Sequence, residues 1–140
     1  MYFYTVSNES KNIVNDPAEA YQLQEQGYFQ LAERAISKTY IKRVLEVTKI
    51  PLNEFILLIP ISIDTYKRKS IFNPSVTEKV LEIEEVYKTG IAAFGDGFYS
   101  WMNSENLTLG GKKPKELLSN SFGIRKLLDL IGRLEHGVLA

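Results

Sequence analysis

The apolar pattern near the end of the chain constrains its fold more than any other feature. From position 124 onwards, apolar residues recur with the period of an α-helix and lie on one stripe: Ile124, Leu127, Leu128, Ile131 and Leu134. A stripe of this kind needs a partner surface that covers it. Gly137 stands where a left-handed residue would cap the helix. The sequence therefore predicts a packed C-terminal helix in which Leu127 and Ile131 are buried.

Stripes with the same period run back through the chain as far as Ser37, so we expect an all-α fold. The longest predicted helix covers about residues 76–94 and ends at Gly95. We expect its buried stripe to consist of these residues: Val76, Val80, Ile83, Tyr87, Ile91 and Phe94. No series of strands is visible, so any sheet should be a minor, two-stranded one.

The start and the polar face of this long helix are predicted from its side chains. Ser75 and Glu78 have the spacing of a capping box, which would begin the helix. The carboxylates of Glu82, Glu84 and Glu85 are expected to face water. The helix should therefore have one apolar and one charged face.

A positively charged stretch precedes the long helix. Residues 37–70 carry seven basic and three acidic groups, which suggests a polyanion as partner, although chance is an equal alternative. Ser37 can cap one helix, Pro51 can begin a second, and Ser62 can cap a third. Pro60 should end the second helix, which leaves a turn of three or four residues. This order is the outline of a helix-turn-helix.

The third of these helices carries the candidate DNA contacts. Basic residues near its end would meet the phosphate backbone: Lys67, Arg68 and Lys69. Polar residues near its start could reach base edges: Ser62, Asp64 and Thr65. The alternative is a solvated helix end, at which the helix dipole favours cations.

The first 36 residues have weaker patterns. The aromatic residues at positions 2–4 fit a short strand or an arm. Asp16 and Pro17 can begin a helix that continues to about Gln26. Residues 28–36 are also predicted to be helical.

Composition excludes several classes of protein. The chain has 140 residues, enough for one compact domain or two very small ones. It has no cysteine, which excludes disulfides, thiolate zinc sites and thiol catalysis. No apolar run is long enough to span a membrane, and the first residues lack the pattern of a secretory signal. A reducing cytoplasm is therefore the simplest compartment, and we expect neither a metal site nor a cofactor.

Two features could suggest an enzyme, but each has a simpler explanation. The glycines around Asp96 and the pair Gly110-Gly111 lack the strand that precedes a nucleotide-binding loop, so a helix end and a tight turn explain them. His136 is the only histidine, and Glu135 beside it would point about 100° away around a helix. Since no nucleophile accompanies them, we expect no catalytic residues and no enzymatic activity.

The order of motifs in the last quarter resembles a known family. A turn at Gly110-Gly111 is followed by two lysines and by Pro114, which suits the first position of a short helix. The run GGKKPKELL, a spacer and the run RKLLDLIGRLEHGVLA resemble the toxin-binding domain of Xre/MbcA/ParS-type antitoxins. The resemblance is close over about the last 45–50 residues and looser back to about residue 37. One departure is the spacer at 119–121, Ser-Asn-Ser, where the family often carries a small acidic or threonine-containing segment.

The resemblance implies a type II antitoxin with three parts. Residues 1–36 would form an N-terminal arm with short helices, 37–72 an Xre-like helix-turn-helix, and 73–140 a helical toxin-binding domain. The implied partner resembles the RES-domain toxins, a family that acts on NAD, and the antitoxin would block the toxin's active site. Members of the family also tend to dimerise and to repress their own promoters, so a homodimer and operator DNA are expected as well.

The resemblance also implies which residues contact the toxin. The turn would contribute these: Gly111, Lys112, Lys113 and Pro114. The end of the chain would contribute these: Arg133, Glu135, His136, Gly137, Val138, Leu139 and Ala140. We expect the last three to enter a cleft of the partner. The rival interpretation is a stand-alone helix-turn-helix transcriptional regulator without a toxin.

Overall fold

The structure is a computed structural model that describes residues 13–14 and 28–137. The predictions for residues 2–4, 16–26 and 138–140 lie outside this part of the chain. The chain divides into two compact units, Met1–Leu81 and Glu82–Ala140. No helix of the described residues is long and apolar enough to cross a membrane.

The secondary structure is mostly helical, which confirms the all-α fold class. In the first unit the elements follow in this order: β1 (Ile13–Val14), α1 (Tyr28–Ala32), β2 (Ala35–Ser37), α2 (Lys38–Thr48), α3 (Leu52–Ile56), α4 (Ile63–Arg68) and β3 (Ile71–Phe72). The long helix α5 (Pro74–Phe94) contains the boundary between the units. The second unit continues with α6 (Gly97–Met102), the 3-10 helices η1 (Leu107–Leu109) and η2 (Pro114–Ser119), and α7 (Ser121–Glu135).

The three strands form one small sheet in the order β1-β2-β3. Strand β2 is parallel to β1 and antiparallel to β3, with Ile36 opposite Phe72. The prediction that residues 28–36 are all helical was therefore wrong at its end, and the sheet has one strand more than expected. The side chains of Ile36 and Phe72 are both buried, so cross-strand packing outweighs the helical preference of this segment.

Two serine caps in the first unit confirm local predictions. The hydroxyl of Ser37 accepts a hydrogen bond from the Tyr40 N–H at 3.1 Å and begins α2. The hydroxyl of Ser62 accepts one from the Thr65 N–H, also at 3.1 Å, and begins α4. Each cap satisfies an amide that has no partner within the helix.

Helix α3 is shorter than predicted. It ends at Ile56 rather than next to Pro60, so six residues, 57–62, separate it from α4. In this connection Leu58 N–H donates to the Phe55 carbonyl at 2.9 Å, and the next amide also bonds three residues back. These tighter bonds form because proline disfavours helical geometry in the residue before it.

Helix α5 begins one residue earlier than its predicted capping box. Pro74 occupies the first turn and Asn73 precedes it, so Asn73 rather than Ser75 stands at the cap. The Asn73 side-chain oxygen accepts from the Val76 N–H at 3.4 Å, and its carbonyl accepts from the same amide at 3.0 Å. An asparagine before a proline suits this position better than the serine, because proline is favoured at the first helical position.

The buried face of α5 is wider than the predicted stripe. Thr77, Leu81 and Glu84 form a second buried row beside it, so the expectation that Glu84 faces water was wrong. The Glu84 carboxylate has Lys88 Nζ at 3.7 Å, one helical turn away, which offsets part of the cost of burying the charge. Towards the helix end the stripe becomes exposed, since Ile91 is half-buried and Phe94 is exposed.

Candidate functional site

The loop before the short helix η2 is closed by backbone hydrogen bonds. The Asn106 N–H donates to the Lys112 carbonyl at 3.0 Å, and the Gly111 N–H donates back to the Asn106 carbonyl at 2.9 Å. Inside this ring the Asn106 side chain accepts from the Thr108 N–H at 2.9 Å and caps η1. The φ angles of Gly110 and Gly111, +69° and +85°, lie in the region that favours glycine. The predicted tight turn is present as one closed loop.

Helix η2 begins at Pro114 as predicted from the sequence. The Glu116 carboxylate accepts from the Lys113 N–H at 2.7 Å, and the Glu116 N–H donates to the Lys113 carbonyl at 3.0 Å. Pro114 is buried, whereas Lys112 is exposed and Lys113 is half-buried. The proline therefore anchors the turn and leaves the Lys112 ammonium group accessible.

The Ser-Asn-Ser spacer joins η2 to the last helix. The Asn120 side chain accepts from the Gly123 N–H at 2.9 Å and caps α7. The Ser121 hydroxyl donates to Glu82 at 3.3 Å. A Cβ atom at Gly123 would overlap the Leu117 carbonyl oxygen, so the close approach of η2 and α7 requires glycine. The spacer thus fixes where the last helix starts.

Helix α7 is packed as its apolar stripe predicted. Leu127 and Ile131 are fully buried, and Ile124 and Leu130 nearly so. Leu128 and Leu134 of the stripe are only half-buried. The helix ends at Glu135, and Gly137 has a φ of +75°, as expected for a left-handed cap.

An open pocket of about 240 Å³ lies between η1 and the outer face of α7. It is lined by these residues: Thr108, Leu109, Lys126, Asp129, Leu130 and Arg133. Arg133 Nε lies 3.0 Å from Asp129 Oδ2, one turn earlier in the helix. Leu109 and Leu130 provide buried apolar surface, and Lys126 adds a positive charge that this ion pair does not balance. The arrangement can hold a group that is apolar along its stem and negatively charged at its end.

Of the residues predicted to contact the toxin, the pocket includes Arg133 but none of the turn residues 111–114. Arg133 lines it, and so do Thr108 and Leu109, which precede the Gly110-Gly111 turn. Glu135, His136 and Gly137 are exposed at the end of α7, and residues 138–140 lie outside the described part. Among the described residues, no three His, Asp or Glu side chains gather as metal ligands.

Sequence reasoning missed two exposed apolar side chains near these elements. Leu107 in η1 is 95% exposed, and Phe122 in the first turn of α7 is 77% exposed with Arg125 stacked 4.8 Å above its ring. Both residues lie off every helical stripe, which is the signal that could have identified them. Both side chains add apolar area to the exposed surface of the second unit.

The acidic face of α5 in this unit has one perturbed group. Burial raises the pKa of Glu85 above its ordinary value, and the negative charge of Glu82 raises it further. Both causes act against the ionised form. Glu85 is thus a source of electrostatic strain at neutral pH.

The residues predicted to contact DNA are mostly exposed on α4 of the first unit. Ser62 and Asp64 lie exposed at its start and Thr65 is half-buried, while the basic residues lie exposed at its end: Lys67, Arg68 and Lys69. The Lys38 ammonium group donates to the Lys67 carbonyl at 3.2 Å and lies 4.8 Å from the centre of the Tyr66 ring. Tyr66 in turn stacks on Phe72, and burial raises the pKa of its phenol. Helix α4 is therefore firmly held on the surface of the unit.

Part of the second unit is similar to a known protein family. Residues 90–137 match the antitoxin Xre/MbcA/ParS C-terminal toxin-binding domain. The matched range includes the closed loop, the pocket and all of α7. Antitoxin families are generally non-enzymatic.

The chain is also similar to a curated relative that is named as an antitoxin. The chain is 33% identical over 72 residues to "Antitoxin Xre" of Yersinia enterocolitica (serotype O:8 / biotype 1B). The aligned region covers 49% of this chain and 49% of that protein. The chain thus spans about half the length of the curated relative that it matches. Both matches are to antitoxins.

Proposed function

We propose that this chain is the antitoxin of a type II toxin–antitoxin pair and neutralises its toxin by binding it through the second unit. The observation that carries this proposal is the match of residues 90–137 to a toxin-binding domain. The same residues hold the closed loop, an open pocket and two exposed apolar side chains. A folded platform with accessible apolar and charged groups suits a binding partner, and nothing in the pocket suits a reaction.

The toxin in this proposal is a RES-domain protein that acts on NAD. The antitoxin blocks its active site with the turn residues Gly111, Lys112, Lys113 and Pro114 and with the residues from Arg133 onwards. A cleft that accepts an anionic dinucleotide carries positive charge, which the carboxylate of Glu135 complements. Residues 138–140 complete this contact in the proposal.

A second activity, binding to operator DNA, rests on α4. The exposed cluster of Lys67, Arg68 and Lys69 supports it, and so does the rigid seating of the helix by Lys38 and Tyr66. In this proposal residues 37–72 form the DNA-binding part, and 73–140 the toxin-binding part of a cytoplasmic homodimer. The rival, a stand-alone regulator, leaves the toxin-binding match without a role.

Co-expression with the product of the adjacent toxin gene tests the proposal. Cells that carry the toxin and the full chain should grow and keep their NAD, whereas cells with the toxin alone should lose both. Deletion of residues 134–140 should leave a folded protein, because the buried part of the α7 stripe, Ile124 to Ile131, remains. The shortened chain should no longer protect the cells, because it lacks residues that block the toxin. Protection by the shortened chain would refute the blocking role of these residues. Failure of the full chain to protect would refute the antitoxin function itself.

A further inference from the structure

Among the described residues of the second unit, Leu107 is the most exposed large apolar side chain. Leu107 is 95% exposed, although its neighbour Leu109 is buried. Its backbone is held within the closed loop, since the Gly110 N–H donates to the Leu107 carbonyl at 3.0 Å and the Asn106 side chain caps the turn. An exposed leucine at this position adds no hydrophobic stabilisation to the fold, because folding does not remove its apolar surface from water.

The segment that begins at Leu107 carries more basic than acidic groups. Residues 107–137 carry six basic groups, Lys112, Lys113, Lys115, Arg125, Lys126 and Arg133, and three acidic ones, Glu116, Asp129 and Glu135. The next residues after Leu107, Thr108 and Leu109, form one wall of the pocket. The opposite wall holds Lys126, Asp129 and Arg133, which leaves one net positive charge because Arg133 pairs with Asp129. A rigid apolar projection thus adjoins an apolar recess with a cationic rim.

We infer that Leu107 is the anchor of the toxin-binding surface and that the pocket beside it receives an acidic side chain of the toxin. This inference rests on the proposed antitoxin function. The toxin surface that fits has an apolar recess of its own, bordered by carboxylates. This recess of the toxin holds the Leu107 side chain, and one of the toxin's carboxylates reaches Lys126 at the rim of the antitoxin's pocket. Because the backbone of Leu107 is already held, binding orders only its side chain, so less conformational entropy is lost than for a residue on a mobile loop. Few central side chains carry most of the energy of an interface.

The chain offers a matched control for this test. Leu57 is 84% exposed and lies in the first unit, so Leu57→Ser and Leu107→Ser each remove a comparable exposed apolar group. Neither residue contributes buried surface, and both variants should melt at the temperature of the parent protein. Lys126→Glu reverses the charge at the rim of the pocket.

The affinity of the full-length chain for the adjacent toxin gene's product is measured by calorimetry at two salt concentrations. Leu107→Ser should weaken binding by about 30-fold or more, as for a central anchor, and Leu57→Ser should leave it unchanged. Lys126→Glu should weaken binding about 10-fold at low salt and less at high salt, because screening reduces the interaction between charges.

Other outcomes overturn the inference in distinguishable ways. If the parent binds the toxin and Leu107→Ser binds equally well, the anchor is wrong and the antitoxin function stands. Equal losses in Leu107→Ser and Leu57→Ser would also refute a specific anchor. If Leu107→Ser changes the oligomeric state of the free chain, this surface joins two copies instead. If the parent does not bind the toxin at all, the inference falls together with the proposed function.

Discussion

Leu127 and Ile131 form the centre of the C-terminal helix's buried stripe. Both side chains are fully enclosed, so replacing either with Ala should lower the free energy of unfolding by about 2–5 kcal/mol. The control is Leu107→Ala, which removes an exposed leucine and should change the stability by less than about 0.5 kcal/mol. Denaturant unfolding of the three variants measures the difference. Equal stability of all three would mean that α7 is not packed as described.

Glu85 predicts a dependence of stability on pH. Its pKa is raised in the folded state by burial and by Glu82, so the unfolded chain loses this proton at lower pH than the folded chain does. Stability therefore falls as pH rises from near 4.5 through the folded pKa, and stays lower above it. Glu85→Gln removes this loss, and its melting temperature should exceed that of the parent at pH 7 but not below about pH 4. A variant that melts lower than the parent at pH 7 would contradict the strain at this position.

Single residues were predicted best where the signal is local. The caps at Ser37 and Ser62 and the turn at Gly110 depend only on their near neighbours, and the structure confirms them. Burial of Glu84 could not be foreseen from its helix alone, because the width of a buried face depends on what packs against it. The exposure of Leu107 had one signal in the sequence, which is that this residue lies off every apolar helical stripe.

At the scale of elements, two glycines of α7 make a matched pair. Gly123→Ala would press its Cβ against the Leu117 carbonyl, a backbone group that cannot move aside, and should cost about 1–3 kcal/mol. Gly132→Ala meets nothing within 4 Å and should stabilise the helix by up to about 1 kcal/mol. Thermal melts of both variants test the close packing of η2 on α7. Equal effects of the same sign would refute the close approach.

Helix α4 leads to a prediction about DNA binding. The slope of the logarithm of the binding constant against the logarithm of the salt concentration should be shallower in the triple Ala variant of Lys67, Arg68 and Lys69. The slope should change by about 0.9 for each phosphate that the variant no longer neutralises. A double Ala variant of Lys42 and Arg43, which are exposed on α2, serves as the comparison and should retain more of the slope. Binding of an operator fragment is measured by fluorescence anisotropy between low and moderate salt. An unchanged slope in the triple variant would place any DNA-binding surface elsewhere.

Elements with a strong period were predicted closely, whereas elements that depend on distant partners were not. The span of α5 follows from its apolar spacing to within a few residues. Strands β2 and β3 have two or three residues each, and Ile36 pairs with Phe72 far along the chain. No local sequence pattern predicts so short a strand, because its stability comes from pairing with the partner strand.

At the scale of the whole molecule, the pocket shows why a candidate site is harder to predict than a fold. Its walls come from η1 and α7, which are separated in the chain by the Gly110-Gly111 turn, η2 and the spacer. Arg133 was predicted from family resemblance, and Lys126 and Asp129 lie near it on the same face of α7. Thr108 and Leu109 join them only because η1 packs beside α7. The surfaces proposed to bind the toxin and DNA remain predictions at this scale.

Purification of the tagged chain from its native cells tests the central claim most directly. The bound proteins are identified by mass spectrometry and the mass of the complex by light scattering. The antitoxin function predicts that the chain elutes together with the toxin encoded beside it, in a fixed ratio that survives moderate salt. A chain that elutes without any toxin, alone or with DNA only, would contradict the claim and favour the stand-alone regulator.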